Sequence, residues 1–491
     1  MLRPWPRVLS TRSFSFSHRQ TSHMRNLRPI SRERFNVYVD WTRAAHISDM
    51  VTELEWYADT HDRVLGVLAL DHTDADYSYV VLGRDEVSRF RAIEVRVSFA
   101  KIGAARSQLK RRLAHFSETG KTVFPQHDAN GEAFDVLTPV VDQNRLDPSF
   151  LVLSQHRLWH GARQVVSEMM RHFVDVDGNF VEQFQTTGFD SRLWELYLFA
   201  YFKEAGFHFD RNMHAPDFVV GRYGQKVAVE AVTVNPSNAE VVQRGKVAGW
   251  NPRESDDIAN RLRSYMPLKF GSTLFSKLAK KPPYWELDHV RGLPLVFALA
   301  DFHEPQSMTW SHPAVLEYLY GITQTGSHDK NGELVIETKS VGPYVKENGA
   351  KIQAGFFNLP DAEHVSGILF SSSGTLSKFN RIGRLAGFGT DASKMYRVGM
   401  CHRHDPNALV PDEFMFEVVP GSVTETWAEG LSLFHNPNAR NPIPLELFPG
   451  VAHHWYSDGK FRSIIPDFHP YASMTFHFAD KSKDAEGSAP A

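Results

Sequence analysis

Between Asp190 and Pro236 three acids stand where the neighbouring residues penalise charge, and this stretch constrains the fold more than any other. Glu195 is the only charge between Arg192 and Lys203, in a run holding Leu193, Trp194, Leu196, Tyr197, Leu198 and Phe199. Asp217 follows Pro216 and opens the apolar Phe218-Val219-Val220. Glu230 interrupts Val227, Val229, Val232 and Val234. A buried, unpaired carboxylate costs several kcal/mol, so such a group is neutralised, paired with a cation or bound to a metal. One acid on a helix followed by two on strands points to a shared site, and hard oxygen ligands suit Mg²⁺ or Mn²⁺. The competing reading gives each acid its own arginine or backbone amide.

The order helix, strand, turn, strand, with Pro216-Asp217 at one strand start and Glu230-Ala231-Val232 in the next, resembles the PD-(D/E)xK restriction-endonuclease-like superfamily. The resemblance covers residues 190–302, where an apolar strand at Pro294–Asp301 completes the pattern. It implies an αβββαβ core and a metal-dependent phosphodiesterase, with Asp217 and Glu230 as metal ligands and Glu195 as an accessory acid. The expected activity is a nuclease acting on DNA in preference to RNA, in which Glu195, Asp217 and Glu230 hold one or two Mg²⁺ or Mn²⁺ ions. One element departs from it: the family's lysine, two residues after the second acid, is Val232 here. Lys226 shares a strand face with Glu230 but stands about 13 Å along the strand, on the wrong side of it. Lys277 falls on the helix after the acidic strand, from which some members supply a displaced residue, and is the expected fourth catalytic group. A catalytically inactive scaffold that binds nucleic acid or protein is the alternative that Val232 keeps open.

At 491 residues the chain exceeds one ordinary core. A content of 42% apolar and 23% charged residues is that of a globular protein. The net charge of -3 confines any nucleic-acid surface to a local patch. The lone cysteine, Cys401, excludes an intrachain disulfide framework, and no apolar run approaches the ~18 residues a membrane span needs. A cytoplasmic protein is expected, although the Arg- and Ser-rich start leaves an organellar transit peptide open.

The expected class is α/β, with several domains. Residues 1–35 form a disordered basic segment, 36–147 a small α+β domain, 148–399 the nuclease-like core, 400–479 a β-rich extension and 480–491 a disordered tail. Within the first domain the spacing of Ala45, Ile47, Met50, Val51 and Leu54 predicts a helix over 42–58. Strands follow at Val64–Leu70, Tyr77–Leu82 and Phe90–Phe99, then a helix carrying Arg106, Lys110, Arg111 and Arg112. One helix is predicted over 151–173, and a helix broken near Pro267 and Gly271 over 256–281. Asp458-Gly459 marks a hairpin turn, and His453 and His454 point to opposite faces of its first strand.

A second candidate site lies downstream. The strand Val365–Phe370, the loop Ser371–Thr375 and the helix Leu376–Ala386 offer backbone N–H groups to a phosphate. Lys378, Arg381 and Arg384 recur every third residue, so with Ser373 they are expected to contact a nucleic-acid backbone.

Overall fold

The largely apolar runs at 227–234 and 295–301 become central strands covered on both faces, the burial that such composition requires. The computed structural model describes residues 26–45, 47–128, 135–175, 178–210, 213–236, 255–346, 349–389 and 393–479. The expectations for the start of the chain before residue 26 and for 480–491 lie outside the described residues. Among the described residues the chain divides into two compact units, 26–35 with 47–128, and 36–45 with 135–479.

The first unit is an antiparallel sheet of β1 (Leu27–Pro29), β2 (Val51–Asp59), β3 (Val64–Asp71), β4 (Tyr77–Arg84) and β5 (Phe90–Phe99), in sequence order. Helix α1 (Ile102–Glu118) packs Ala105, Leu109 and Leu113 against Val64, Leu68, Tyr79 and Val81. The helix predicted over 42–58 is not formed. Only Ile47–Met50 is helical, and Val51–Asp59 pairs with β1 and β3 as a strand. The apolar spacing fits both states, but Val51, Thr52, Trp56 and Tyr57 favour the extended chain once strands flank it. The basic face of α1 is partly engaged within the unit: Arg106 pairs with Glu55, and Arg112 reaches Glu94 at 2.6 Å.

In the second unit the span 151–173 is split. A helix at Pro148–Gln155 and α2 (His160–Met170) are separated by a 3₁₀ turn at Arg157–Trp159. Helix α3 (Phe189–Glu204) is buried on nearly every side. There follow β6 (His208–Asp210), β7 (Phe218–Arg222), β8 (Gln225–Val234), α4 (Met266–Leu278) and β9 (Leu295–Asp301). Helix α4 begins with Pro267 in its first turn, directly after a π-turn at Arg261–Tyr265, so the break precedes the proline. β6, β7 and β8 form an antiparallel meander, and β9 lies parallel to β8.

Helix α5 (His312–Tyr320) leads to two small hairpins, β10 (Ile322–His328) with β11 (Leu334–Ser340) and β12 (Tyr344–Val345) with β13 (Lys351–Ile352). β14 (Gly367–Ser371) adds parallel to β9 and is followed by α6 (Leu376–Leu385). β15 (Ser393–Cys401), β16 (Asp412–Glu417) and the late β20 (Pro470–Ala479) make a separate three-stranded sheet. β17 (Leu431–His435), β18 (Ala452–Ser457) and β19 (Lys460–Ile464) extend the central sheet to eight strands, ordered β19-β18-β17-β14-β9-β8-β7-β6. Residues 400–479 therefore do not stand apart as an extension, because the pairing of β14 with β17 joins them to the core. Positive φ at Asp458 and Gly459 closes the β18–β19 hairpin in the expected two-residue turn.

Alternation along β8 sorts its side chains. Ala228, Val232 and Val234 enter the apolar layer with Met266, Phe270 and Leu274 of α4, whereas Thr233 bonds Ser191 of α3 at 2.8 Å across the other face. Glu230 shares the face of Val232.

Candidate metal-dependent site

Phe218 pairs with Val229, so Asp217, one residue earlier, stands beside Glu230 across the β7–β8 ladder. The Ala231 N–H donates to Asp217 Oδ2 at 2.7 Å. Glu230 is buried, and its Oε1 accepts from Lys277 Nζ at 2.6 Å and from the Tyr284 hydroxyl at 2.6 Å. Lys277 thus comes from α4, the helix that covers the face of β8 on which both Glu230 and Val232 lie. A lysine at position 232 would thread its stem among Met266, Phe270 and Leu274. The helix instead delivers the ammonium from outside, three residues after Leu274, with the side chain still one-third exposed.

Glu195 is held by Arg192, one turn earlier on α3, whose Nη1 lies 2.8 and 2.9 Å from the two carboxylate oxygens. The Asp217 carboxyl is pushed well above the usual carboxylate range. Burial is the main cause, followed by the charges of Glu230 and Glu195, with the Ala231 N–H and Lys277 opposing them. Yet Asp217 is exposed by surface area. Protein is thus dense around a carboxyl that solvent still reaches. Lys277 pairs with Glu230 and Arg192 with Glu195, so of the three acids Asp217 alone is held by a backbone N–H without an ion pair among the described residues.

Asp217 and Glu230 each keep one oxygen, Oδ1 and Oε2, that accepts no hydrogen bond among the described residues. Two hard carboxylate oxygens side by side fit Mg²⁺, which is commonly held by one or two carboxylates, water and substrate phosphate. Glu195 stands close enough for its charge to act on Asp217, while its own carboxylate is engaged by Arg192. Among the described residues only Asp361, Glu363 and His364 place three such donor atoms within 4.8 Å of one another. That other trio is already engaged, since Glu363 pairs with Arg440 at 2.7 Å and His364 stacks on Trp285 at 4.5 Å. Lys226 bonds Asp210 at 3.2 Å and takes no part in the site.

Comparison with protein-family models, curated proteins and solved structures finds no match. Geometry alone therefore carries the assignment of roles. No helix of the described residues is long and apolar enough to cross a membrane.

The expected nucleic-acid contacts on α6 are corrected by burial. Lys378, Arg381 and Ser373 are buried, and Arg384 is half-buried with Nη2 donating to Ser393 O at 3.0 Å. Arg381 grips Glu425 through two bonds of 2.7 and 2.8 Å, Arg397 pairs with Glu429, and Lys378 donates to Glu429 O at 2.6 Å. Burial alone would raise Glu425, but Arg381 and Arg397 outweigh it and hold its carboxyl at about 2; burial lowers Lys378 to about 8. Basic residues at every third position read as a solvated face until their partners, forty to fifty residues later in the chain, close over them.

Tyr284 is the site residue that sequence reasoning missed. Its segment, Lys281-Pro282-Pro283-Tyr284-Trp285, carries no charge pattern to single it out, and its role emerges only from its bond to Glu230.

Proposed function

We propose that the second unit is a metal-dependent phosphodiesterase of the PD-(D/E)xK type, acting on nucleic acid, with DNA as the first substrate to test. The observation that carries this reading is the 2.6 Å contact of Lys277 with Glu230, beside Asp217. It returns an ammonium to the acidic pair although the motif position is Val232. Asp217 and Glu230 would hold Mg²⁺ or Mn²⁺ through their unengaged oxygens. The cation would supply Lewis acidity toward a phosphoryl oxygen. Lys277 keeps a positive charge at the rim, where charge develops on a phosphate under attack. Arg192 holds Glu195 in place, and Glu195 sustains the negative potential of the site.

The order α3-β6-β7-β8-α4-β9 supports the reading, because it is the helix, three strands, helix and strand that the superfamily resemblance implies. Cleavage of plasmid and single-stranded DNA with Mg²⁺ or Mn²⁺ tests it, comparing wild type with Asp217→Asn and Glu230→Gln. Metal-dependent cutting lost in both folded variants is the expected result. Cutting that survives in either variant would place the chemistry elsewhere.

A further inference from the structure

We propose that Tyr284 is a positioning residue that turns Glu230, so that one carboxylate oxygen is consumed by the protein and the other is presented to a divalent cation. This rests on the metal-site reading above and adds to it the group that sets the orientation of one ligand.

The direction of each hydrogen bond can be deduced. Lys280 Nζ lies 3.1 Å from Tyr284 Oη and 4.2 Å from the centre of its ring. An ammonium has only protons to give, so the phenol oxygen accepts from Lys280. The phenol proton is then left for Glu230 Oε1 at 2.6 Å. That same oxygen takes the Lys277 proton at 2.6 Å. Two donors therefore converge on Oε1, while Oε2 accepts no hydrogen bond among the described residues. The arrangement is asymmetric across the carboxylate, and the asymmetry fixes which oxygen remains for a ligand.

The ring that carries the hydroxyl is itself immobilised. Tyr284 is fully buried in the apolar layer beside α4, with Phe297 of β9 edge-on at 6.0 Å. Burial, then the nearby Glu230 charge, keeps the phenol protonated far above its ordinary range. Lys277, by contrast, is a flexible side chain one-third open to solvent. A flexible ammonium supplies charge, whereas a wedged phenol supplies direction. Partners that orient a metal-binding carboxylate in this way are worth about ten- to a hundred-fold in metal affinity.

The test is Mn²⁺ titration of the full chain by calorimetry, with cleavage rates measured across Mn²⁺ concentrations. The proteins are wild type, Tyr284→Phe and Lys280→Met. Tyr284→Phe keeps the ring and removes only the oxygen. Its Mn²⁺ dissociation constant is expected to rise about ten-fold, at the lower end of that range. Saturating Mn²⁺ should then return its cleavage rate to that of wild type, a separation that general loosening of the core would not produce. Equal Mn²⁺ affinity in wild type and Tyr284→Phe would overturn the role of Tyr284 and leave the metal site standing. Absence of Mn²⁺ uptake by wild type would overturn the metal-site reading, and this inference with it. Should Tyr284→Phe fail to fold, Lys280→Met decides. It leaves Glu230 and the wedged ring untouched and removes the partner that aims the phenol proton at Glu230, so weakened Mn²⁺ affinity is expected, and unchanged or tighter affinity would overturn the proposal.

Discussion

The second unit buries charge in two places, and the two solve the problem in opposite ways. Around Glu425 the charges are sealed and matched: Arg381, Arg397 and Lys378 surround Glu425 and Glu429, and nearly every one of these side chains is inaccessible. Around Asp217 the arrangement is open: the carboxyl is exposed, and among the described residues one oxygen each of Asp217 and Glu230 accepts no hydrogen bond. A saturated network stabilises a structure and has nothing left to bind. An unsaturated one keeps acceptors that a ligand could use. Burial of charge by itself therefore does not mark a functional site.

Acid should separate the two regions most strongly. Burial holds His469 near pH 3 and His477 near pH 4, both flanking the sealed network, and His312 near pH 4. These imidazoles are neutral in the fold, while the unfolded chain protonates near its ordinary value. Their contribution is intact above about pH 6.5 and is lost as pH falls toward 3–4, at up to ~1.4 kcal/mol per unit for each. Asp217 runs the other way. Its raised value makes the neutral form the comfortable one, so its contribution is present at low pH and lost as pH rises. Urea midpoints measured from pH 7.5 to 4.5 should fall steeply on the acid side. A flat profile would break the account of the histidines.

Removing one carboxylate from each region should come next in size, with opposite signs. Glu425→Ala strands Arg381 and Arg397 without their counter-charge, and thermal denaturation should show a loss of about 3–5 kcal/mol. Addition of Mg²⁺ should then raise the stability of wild type by about 2.7 kcal/mol at a hundred times its dissociation constant, and less at pH 5 than at pH 8 as protons compete for Asp217. Asp217→Asn without metal should stabilise slightly, by no more than about 1 kcal/mol since solvent screens the open side, and should abolish the Mg²⁺ effect. If Asp217→Asn destabilised as Glu425→Ala does, the contrast between the regions would collapse.

The juxtaposition of the two acids and the lysine was legible because they break local rules: Asp217 directly precedes the apolar β7, Glu230 sits among the valines of β8, and Lys277 lies on the helix that packs against that face. What escaped depended on distant partners. The Arg192 that engages Glu195 is the exception, standing one turn before it on α3 as the competing reading allowed. The buried basic stripe of α6 needs Glu425 and Glu429, and nothing within the helix signals them. The eight-stranded sheet depends on β17 pairing antiparallel with β14, a contact no local period encodes. The hairpin at Asp458-Gly459, whose information is entirely local, was read directly.

The most direct measurement is DNA cleavage in Mg²⁺ and Mn²⁺ by wild type and by Lys277→Met, on plasmid and on single strands. The account predicts metal-dependent cutting by wild type and a loss of about a hundred-fold or more in Lys277→Met, the scale expected when a group facing developing charge is removed. Cutting by Lys277→Met at the wild-type rate, or a wild type that neither cuts nor takes up metal, would contradict it.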